Sequence, residues 1–561
     1  MQHFWWYIAS LAAGWLPFAI ASEPLVTLPY GSFQGNISGS VTSFLGMPYA
    51  QPPLGNLRFA PPQAPEAFDG VRLATSYGAA CLQQTGSPPQ GLTIKLSSLA
   101  DASEDCEMPA IQAAHTLMSM WQGLFVNVLT PAAVNTSNKL PVLFWVYGGA
   151  FVEGNSASNP GNIIVERSIT LGEPIVFVSF NYRLNAFGFL ASEEVENAGL
   201  TNIGMRDREF AMEWVNKYIS SFGGDPDKVT IWGESAGSFA VGLQMIMNNG
   251  DAQGLFRAVV MESGSAYALR NVSAAQGYYD LLVNYTGCSG QADTLACLRE
   301  APAEQIVEAV NLTPTTFNYT GHNLAWQPRL DRDLFVRNPQ HSLLMGLYTK
   351  VPIISGDCDD EGTLFSLGNL NITLVNRKKD DLYFYIPGAT PAEIAAVGAA
   401  YPDNPSLGSP FGTGDADVLT PQFKRIAAFT GDWQFQAPRR LTLSVVSQTQ
   451  DAWAYLFKRG KSTPYLGAYH SSDLSEFFTD IDYIGTDALI NFVTNLDPNA
   501  PVGLPANVSY LSGVQWPRWT LSNVSPSLLT FQDPVPAFNF TSDTFRAAPM
   551  ALLTALSLQM P

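Results

Sequence analysis

Lys228-Val229-Thr230-Ile231-Trp232-Gly233-Glu234-Ser235-Ala236-Gly237 is the stretch on which the fold turns. Its first five residues read as a short buried strand, and Phe239, Leu243 and Ile246 beyond it recur at helical spacing. A serine between two glycines at a strand-to-helix switch is a nucleophile elbow, whose sharp turn lifts the hydroxyl clear of its neighbours. The glycine-serine-glycine pattern alone decides little, because 46 Gly in 561 residues supply about 0.3 chance matches. The flanking strand and helix carry the reading, together with partner residues in the right chain order.

Working outward, apolar runs of strand length lie at 142–147, 175–180, 229–232, 258–261, 351–354 and 453–457, with helical patterns between them. Such alternation predicts an α/β fold with a large, mostly parallel sheet flanked by helices. The chemistry of these sheets gathers in loops at the carboxyl ends of the strands. The elbow sits at such an end, as do the loops after Tyr147 and Ile354. No Ser/Gly linker, charge block or repeat interrupts the chain, so 22–561 reads as one large domain. Hydrophobic residues at 46% and charged residues at 14% supply a deep core. A net charge of −19 excludes a phosphate-backbone partner, which needs clustered Lys and Arg.

Residues 1–21 read as a secretory signal peptide: an apolar stretch from Phe4 to Ile20, then Ala19-Ile20-Ala21 as a small-residue cleavage site. Its amino end lacks the usual Lys or Arg, but the run is short for a membrane span. N-x-S/T acceptors begin at Asn36, Asn135, Asn271, Asn284, Asn311, Asn318, Asn371, Asn507, Asn523 and Asn539, a density that fits a secreted glycoprotein. In an oxidising compartment, Cys81 with Cys106 and Cys288 with Cys297 would each close a local loop, although sequence alone does not fix the connectivity. A loop of the first size is worth about 3 kcal/mol in the chain-entropy model. Cys358 is left as a buried thiol, a poor nucleophile beside Asp357, Asp359 and Asp360.

Ser103-Glu104-Asp105-Cys106 and Leu124-Phe125-Val126-Asn127-Val128 would read smoothly if joined. The intervening insert 107–123 is apolar and helical in pattern. It reads as an unspliced intron rather than a lid or docking helix. The apolar end of the chain, 549–558, predicts a final docking helix, since the polar spacer of a GPI signal is missing.

A serine hydroxyl needs a base within hydrogen-bond reach to act as a nucleophile. The histidines are His3, His115, His322, His341 and His470. His3 belongs to the leader and His115 to the insert. With an elbow the order is serine, acid, histidine, and the best acid cluster is Asp357-Cys358-Asp359-Asp360-Glu361-Gly362. Only His470 follows it, in the polar loop Gly467–Asp473, so His470 is the expected base and His322 and His341 are assigned to structure. Asp359, Asp360 and Glu361 are not separable on spacing. Backbone donors for an oxyanion are expected from Ala236, at a helix N-terminus, and from Val146-Tyr147-Gly148-Gly149-Ala150-Phe151.

With these residues placed, the chain resembles the type-B carboxylesterase/lipase family, which includes cholinesterases and secreted fungal lipases and sterol esterases. The markers span 25–560: Phe44-Leu45-Gly46-Met47-Pro48-Tyr49-Ala50, Pro52-Pro53-Leu54-Gly55, Arg58-Phe59, Ser103-Glu104-Asp105-Cys106, Gly148-Gly149-Ala150-Phe151, Asn181-Tyr182-Arg183, Phe222-Gly223-Gly224-Asp225-Pro226, the elbow, and Asp360-Glu361-Gly362. The resemblance implies an α/β-hydrolase fold with a small N-terminal sheet, Glu361 as the acid, oxyanion donors from Gly149, Ala150 and Ala236, and both local disulfides. Ala150 replaces the last of three usual glycines, which keeps the N–H and narrows the pocket. The loop from Cys81 to Cys106 corresponds to a lid and is short and polar, which argues against strong interfacial activation.

The expected function is a secreted serine hydrolase that cleaves lipophilic carboxylic esters through an acyl-enzyme. Its partners would be small-molecule or lipid esters, with at most a passing contact at a lipid interface. An aryl or feruloyl-type esterase is the alternative within enzymes, and a catalytically inert adhesion module the alternative outside them. No metal or cofactor is expected: the chain has no H-E-x-x-H pair, no zinc-spaced Cys/His set and no G-x-x-x-x-G-K loop.

Overall fold

All six apolar runs become strands of a single sheet. The computed structural model describes residues 23–85, 123–318, 323–372, 385–521 and 525–560. The expected leader, and the 107–123 insert except its last residue, lie outside the described residues. In chain order the strands are β1 Leu25–Leu28, β2 Gly31–Gln34, β3 Asn36–Ser38, β4 Val41–Pro48, β5 Val71–Leu73, β6 Phe125–Pro131, β7 Leu140–Val146, β8 Val176–Phe180, β9 Gly224–Glu234, β10 Ala258–Glu262, β11 Ile353–Cys358, β12 Ala452–Phe457, β13 Ser527–Phe531 and β14 Phe538–Ser542. β1, β2 and β5 form a small three-stranded sheet near the N-terminus. The rest form one 11-stranded sheet in the order β14-β13-β12-β11-β10-β9-β7-β8-β6-β4-β3.

From β8 to β13 in that order every pairing is parallel, and the pairings outside it are antiparallel. The parallel strands are covered on both faces, which is why they are written as unbroken apolar runs. Val142, Leu143, Phe144, Val176, Phe177 and Val178 are fully buried. The helices Asn162–Leu171 and Ile484–Asn495 pack together over β6, β7 and β9. Another group, including Ile203–Tyr218, Ala236–Gln244 and Ala437–Val446, packs on β9, β10 and β11. Trp145 and Trp232 meet at 4.2 Å between ring centroids, and Phe478 stacks on Trp232 at 4.9 Å. The final helix, Ala547–Ser557, buries Met550, Leu553 and Leu556. It docks on Ala437–Val446 and Pro391–Ala400, as the apolar end of the chain predicted.

Cys288 and Cys297 are bridged, joining the end of helix Gln276–Tyr285 to helix Thr294–Glu300. Cys81 is buried, with Sγ 3.8 Å from the Gly123 carbonyl, and the expected Cys81–Cys106 bridge lies outside the described residues with Cys106. Burial pushes the Cys81 thiol up to about 12. Cys358 is free and buried. The cause of its low acidity is burial first, then Asp473 and Glu361, rather than the flanking aspartates.

Gly237 is where the sheet and the elbow helix come closest, since a Cβ there would stand 2.0 Å from the Val146 carbonyl oxygen. Gly237→Ala is expected to cost about 2–4 kcal/mol through this clash, read as a lower urea midpoint; a midpoint equal to wild type would contradict the packing described.

Candidate active site

β9 ends at Glu234 and a helix begins at Ala236, so Ser235 takes the whole turn, at φ 55° and ψ −125°. This conformation is costly for a residue with a Cβ, of order 1–3 kcal/mol. It is held from both sides. The Ser235 N–H donates to the Glu262 carbonyl at the end of β10 (3.0 Å), and the Phe239 N–H donates to the Ser235 carbonyl (2.9 Å). A Cβ on Gly233 would lie 2.5 Å from the Gly237 backbone, so the turn closes only with glycine at both positions.

The next strand ends supply the partners. β11 runs into Asp359-Asp360-Glu361, and the three carboxylates diverge there. Asp359 pairs with Lys458 and Lys461. Asp360 takes Lys461, the Ser409 hydroxyl and the Phe411 and Ala468 N–H groups. Glu361 alone touches the imidazole, with Oε2 2.6 Å from His470 Nδ1. The Ser263 hydroxyl and the Cys358 N–H both donate to its other oxygen at 2.7 Å. On the far side of the ring, His470 Nε2 lies 2.8 Å from Ser235 Oγ. His341 Nε2 instead meets the Leu558 carbonyl at 2.8 Å, and His322 lies outside the described residues.

All three side chains are buried, with Ser235 9%, His470 4% and Glu361 1% exposed. Burial, then Asp473, drives Glu361 well above the ordinary carboxylate range, against the pull of Ser263 and Cys358. The Ser263 hydroxyl and the Cys358 N–H favour the ionised carboxylate, and with Nδ1–H donating to Oε2 the ring keeps a lone pair on Nε2 for the serine hydroxyl. Burial lowers the pKa of His470, and Glu234, Asp473 and Asp357 raise it less. The ring is neutral near pH 7, as a base must be.

Gly149, Ala150 and Phe151 follow β7 with φ values of 97°, 54° and 63°. Their loop presses on the elbow, since a Cβ on Gly148 would reach 2.8 Å from that of Ser235. The backbone N–H groups of Gly149, Ala150 and Ala236 thus belong to two segments packed together at the serine. Phe365 and Phe435 cover His470, with ring centroids at 4.9 and 4.8 Å. Phe435 comes from a π-helical turn, Asp432–Gln436, a geometry often found at functional sites.

Sequence reading missed Ser263, Glu234, Ser471 and the two phenylalanines. Glu234 is buried beside the nucleophile, its carboxyl raised to about 7 by desolvation, and it accepts the Ser471 hydroxyl at 2.5 Å. The only sequence signal for Ser263 is its place one residue past β10. Of the N-x-S/T positions, Asn36, Asn135, Asn271, Asn284, Asn371, Asn507 and Asn539 are exposed, Asn311 and Asn318 are half-buried, and Asn523 lies outside the described residues.

A parallel-centred sheet with a serine elbow, a histidine loop and an acid turn at its strand ends is the architecture of the α/β-hydrolases. Residues 22–499 match the carboxylesterase family. The chain is 36% identical to the secreted triacylglycerol lipase LIP1 of Gibberella zeae, over 89% of this chain and 85% of that protein. It is also 36% identical to Lipase 5 of Diutina rugosa, over 90% of this chain and 91% of that protein. Among solved structures, Aspergillus niger EstA superposes with a TM-score of 0.76 at 27% identity, covering 96% of this chain and 99% of that one. The chain belongs to the carboxylesterase family, and it is a carboxylic ester hydrolase.

Two outcomes are expected of the site. The neutral imidazole is the active form and its pKa is depressed below 6.5, so kcat/KM should fall with decreasing pH through an inflection below 6.5; an inflection above 7 would contradict the burial argument. Ser263→Ala should lower kcat about tenfold with KM unchanged, the loss of one hydrogen bond to a charged group; steady-state kinetics equal to wild type would show that Ser263 does not hold Glu361.

Proposed function

We propose that the chain is an exported serine esterase of lipophilic esters, acting through an acyl-enzyme. The observation that carries this is the unbroken series Ser235 Oγ–His470 Nε2 at 2.8 Å and His470 Nδ1–Glu361 Oε2 at 2.6 Å. Ser235 Oγ attacks the ester carbonyl as its proton passes to Nε2. Negative charge gathers on the former carbonyl oxygen, which the N–H groups of Gly149, Ala150 and Ala236 stabilise; one such donor is typically worth about 2.7–4 kcal/mol. Imidazolium forms while Glu361 fixes the ring and balances its charge. His470 then protonates the leaving alcohol, and water, deprotonated by the same nitrogen, releases the acid from Ser235.

The lipophilic preference is supported by relatives named as lipases, and by the aromatic walls Phe239, Phe365 and Phe435 near the imidazole. Export is supported by relatives named as secreted, by the bridged Cys288–Cys297 pair, and by the exposure of most N-x-S/T asparagines. Residues 1–21 would be the leader and 22–561 the mature domain. Asn311 is a poorer glycan acceptor than the exposed sites, because its side-chain oxygen already takes the Thr85 N–H at 2.9 Å.

Ser235→Ala should reduce turnover of p-nitrophenyl butyrate by about 10⁴–10⁶-fold with little change in Tm. Retention of a tenth of the activity would assign the nucleophile elsewhere. A p-nitrophenyl series from acetate to palmitate, with a hydroxycinnamoyl ester, reads the acyl preference; a hydroxycinnamoyl ester turned over best would favour the aryl-esterase alternative.

A further inference from the structure

Behind the aromatic wall of the site lies a partly open cavity of about 50 Å³ with mixed polar and apolar walls, several times the roughly 10–15 Å³ that holds one water on the same measure. Tyr267, Arg270, Asn323, Gln327, Gln340 and Gln434 give it its polar lining, and no described lining residue is Asp or Glu. Two phenylalanine rings link the cavity's Tyr267 to the imidazole. The Tyr267 ring lies 4.8 Å from Phe239, Phe239 lies 5.6 Å from Phe435, and Phe435 lies 4.8 Å from His470.

The lining is biased toward donors. Arg270 donates to Asn323 Oδ1 at 2.7 Å, and the Ser557 hydroxyl donates to Gln340 Oε1 at 2.6 Å, so two of the lining acceptors are already taken. The Tyr267 hydroxyl is buried and has no partner among the described residues. Burial pushes its pKa up, so it stays protonated, and the charges of Arg329 and Arg208 reach it. Arg329 is itself 1% exposed; it donates to the Leu324 and Ala325 carbonyls, but its Nε and Nη1 find no partner among the described residues. Burial lowers it to about 10, which still leaves it charged at neutral pH. A buried guanidinium with no carboxylate partner among the described residues, its charge felt by an unsatisfied phenol, leaves positive potential and donors that an anion would satisfy.

We infer that this cavity binds a small carboxylate, with Arg270 and the Tyr267 hydroxyl as its direct ligands. Two sources share that chemistry: the free acid released by ester cleavage, and the distal carboxylate of an acyl group that displaces the Phe239–Phe435 layer. The site itself stands on the cavity; only the choice of source rests on the esterase reading.

The test uses the full chain, with Ser235→Ala as a parallel background so that binding is read without turnover. Sodium acetate and butyrate are titrated against sodium chloride at constant ionic strength while Tm is followed. The expected result is a saturable, carboxylate-specific rise in Tm in both proteins. In Arg270→Gln and in Tyr267→Phe the apparent Kd should rise at least tenfold, while kcat/KM for p-nitrophenyl acetate stays within threefold of wild type. Two variants are used so that one unstable protein does not end the test. The p-nitrophenyl monoester of glutaric acid, compared with the butyrate, then separates the sources. Preference for the glutarate, lost in Arg270→Gln, identifies the acyl group; no preference, with carboxylate binding intact, identifies the released acid. No saturable rise, a rise equal for chloride, or a rise unchanged in both variants would overturn the site and leave only ordered water there. None of those results bears on the nucleophile, which Ser235→Ala tests separately.

Discussion

The left-handed turn at Ser235 is the constraint on which the rest of this structure depends. A residue with a Cβ does not rest there unaided, so the surroundings must over-determine it. The register of the sheet does much of this. Glu234 pairs with Glu262, and Glu262 with Gly356, so β9 and β10 end level on one row and β11 runs only two residues past it, to Cys358. Ser235, Ser263 and Asp357 are therefore the first residues beyond a common row. From that row the nucleophile, the residue that steadies the acid, and the turn that carries the acid all emerge on one edge. The imidazole needs only one further loop, after β12, to meet them.

Crowding carboxyl groups at one dry edge has an electrostatic consequence. Glu234, Glu262, Glu361 and Asp473 are all buried, and burial is the first cause of the upward shift of each. Groups this close in a low dielectric cannot all ionise, so charge collects where donors are densest. Glu361, with Ser263, the Cys358 N–H and the imidazole around it, is the best-supplied of them. The neighbouring Arg439 network shows the same logic. Asp543 faces both Arg439 and Arg440 and is held low, whereas Asp357, with Arg439 alone at 2.9 Å, is still raised to about 8 by burial.

How much of this was legible in the sequence follows from where each signal comes from. The central strands could be read because burial on both faces writes them as continuous apolar runs. The edge strand β14 could not, since Phe538–Ser542 is largely exposed and mixed in polarity. The elbow was legible because close backbone approach demands glycine, and Gly233 and Gly237 leave no room for a side chain. Asp359, Asp360 and Glu361 were inseparable on spacing because their difference is made by Lys458, Lys461 and His470, about a hundred residues away. The π-helical turn that seats Phe435 on the imidazole leaves no periodic trace, so that contact had no signal at all. The Cys288–Cys297 pairing was legible because the two cysteines close a short local loop, whereas Cys106 lies outside the described residues.

If the strained serine is the group that becomes acylated, a trapping reagent must end up on it. The full chain is treated with a p-nitrophenyl alkylphosphonate, digested and mapped by mass spectrometry. One phosphonyl group per chain on the peptide containing Ser235, appearing in step with the loss of turnover, is the result predicted. Loss of turnover with the adduct on any other residue, or with Ser235 unmodified, would contradict it.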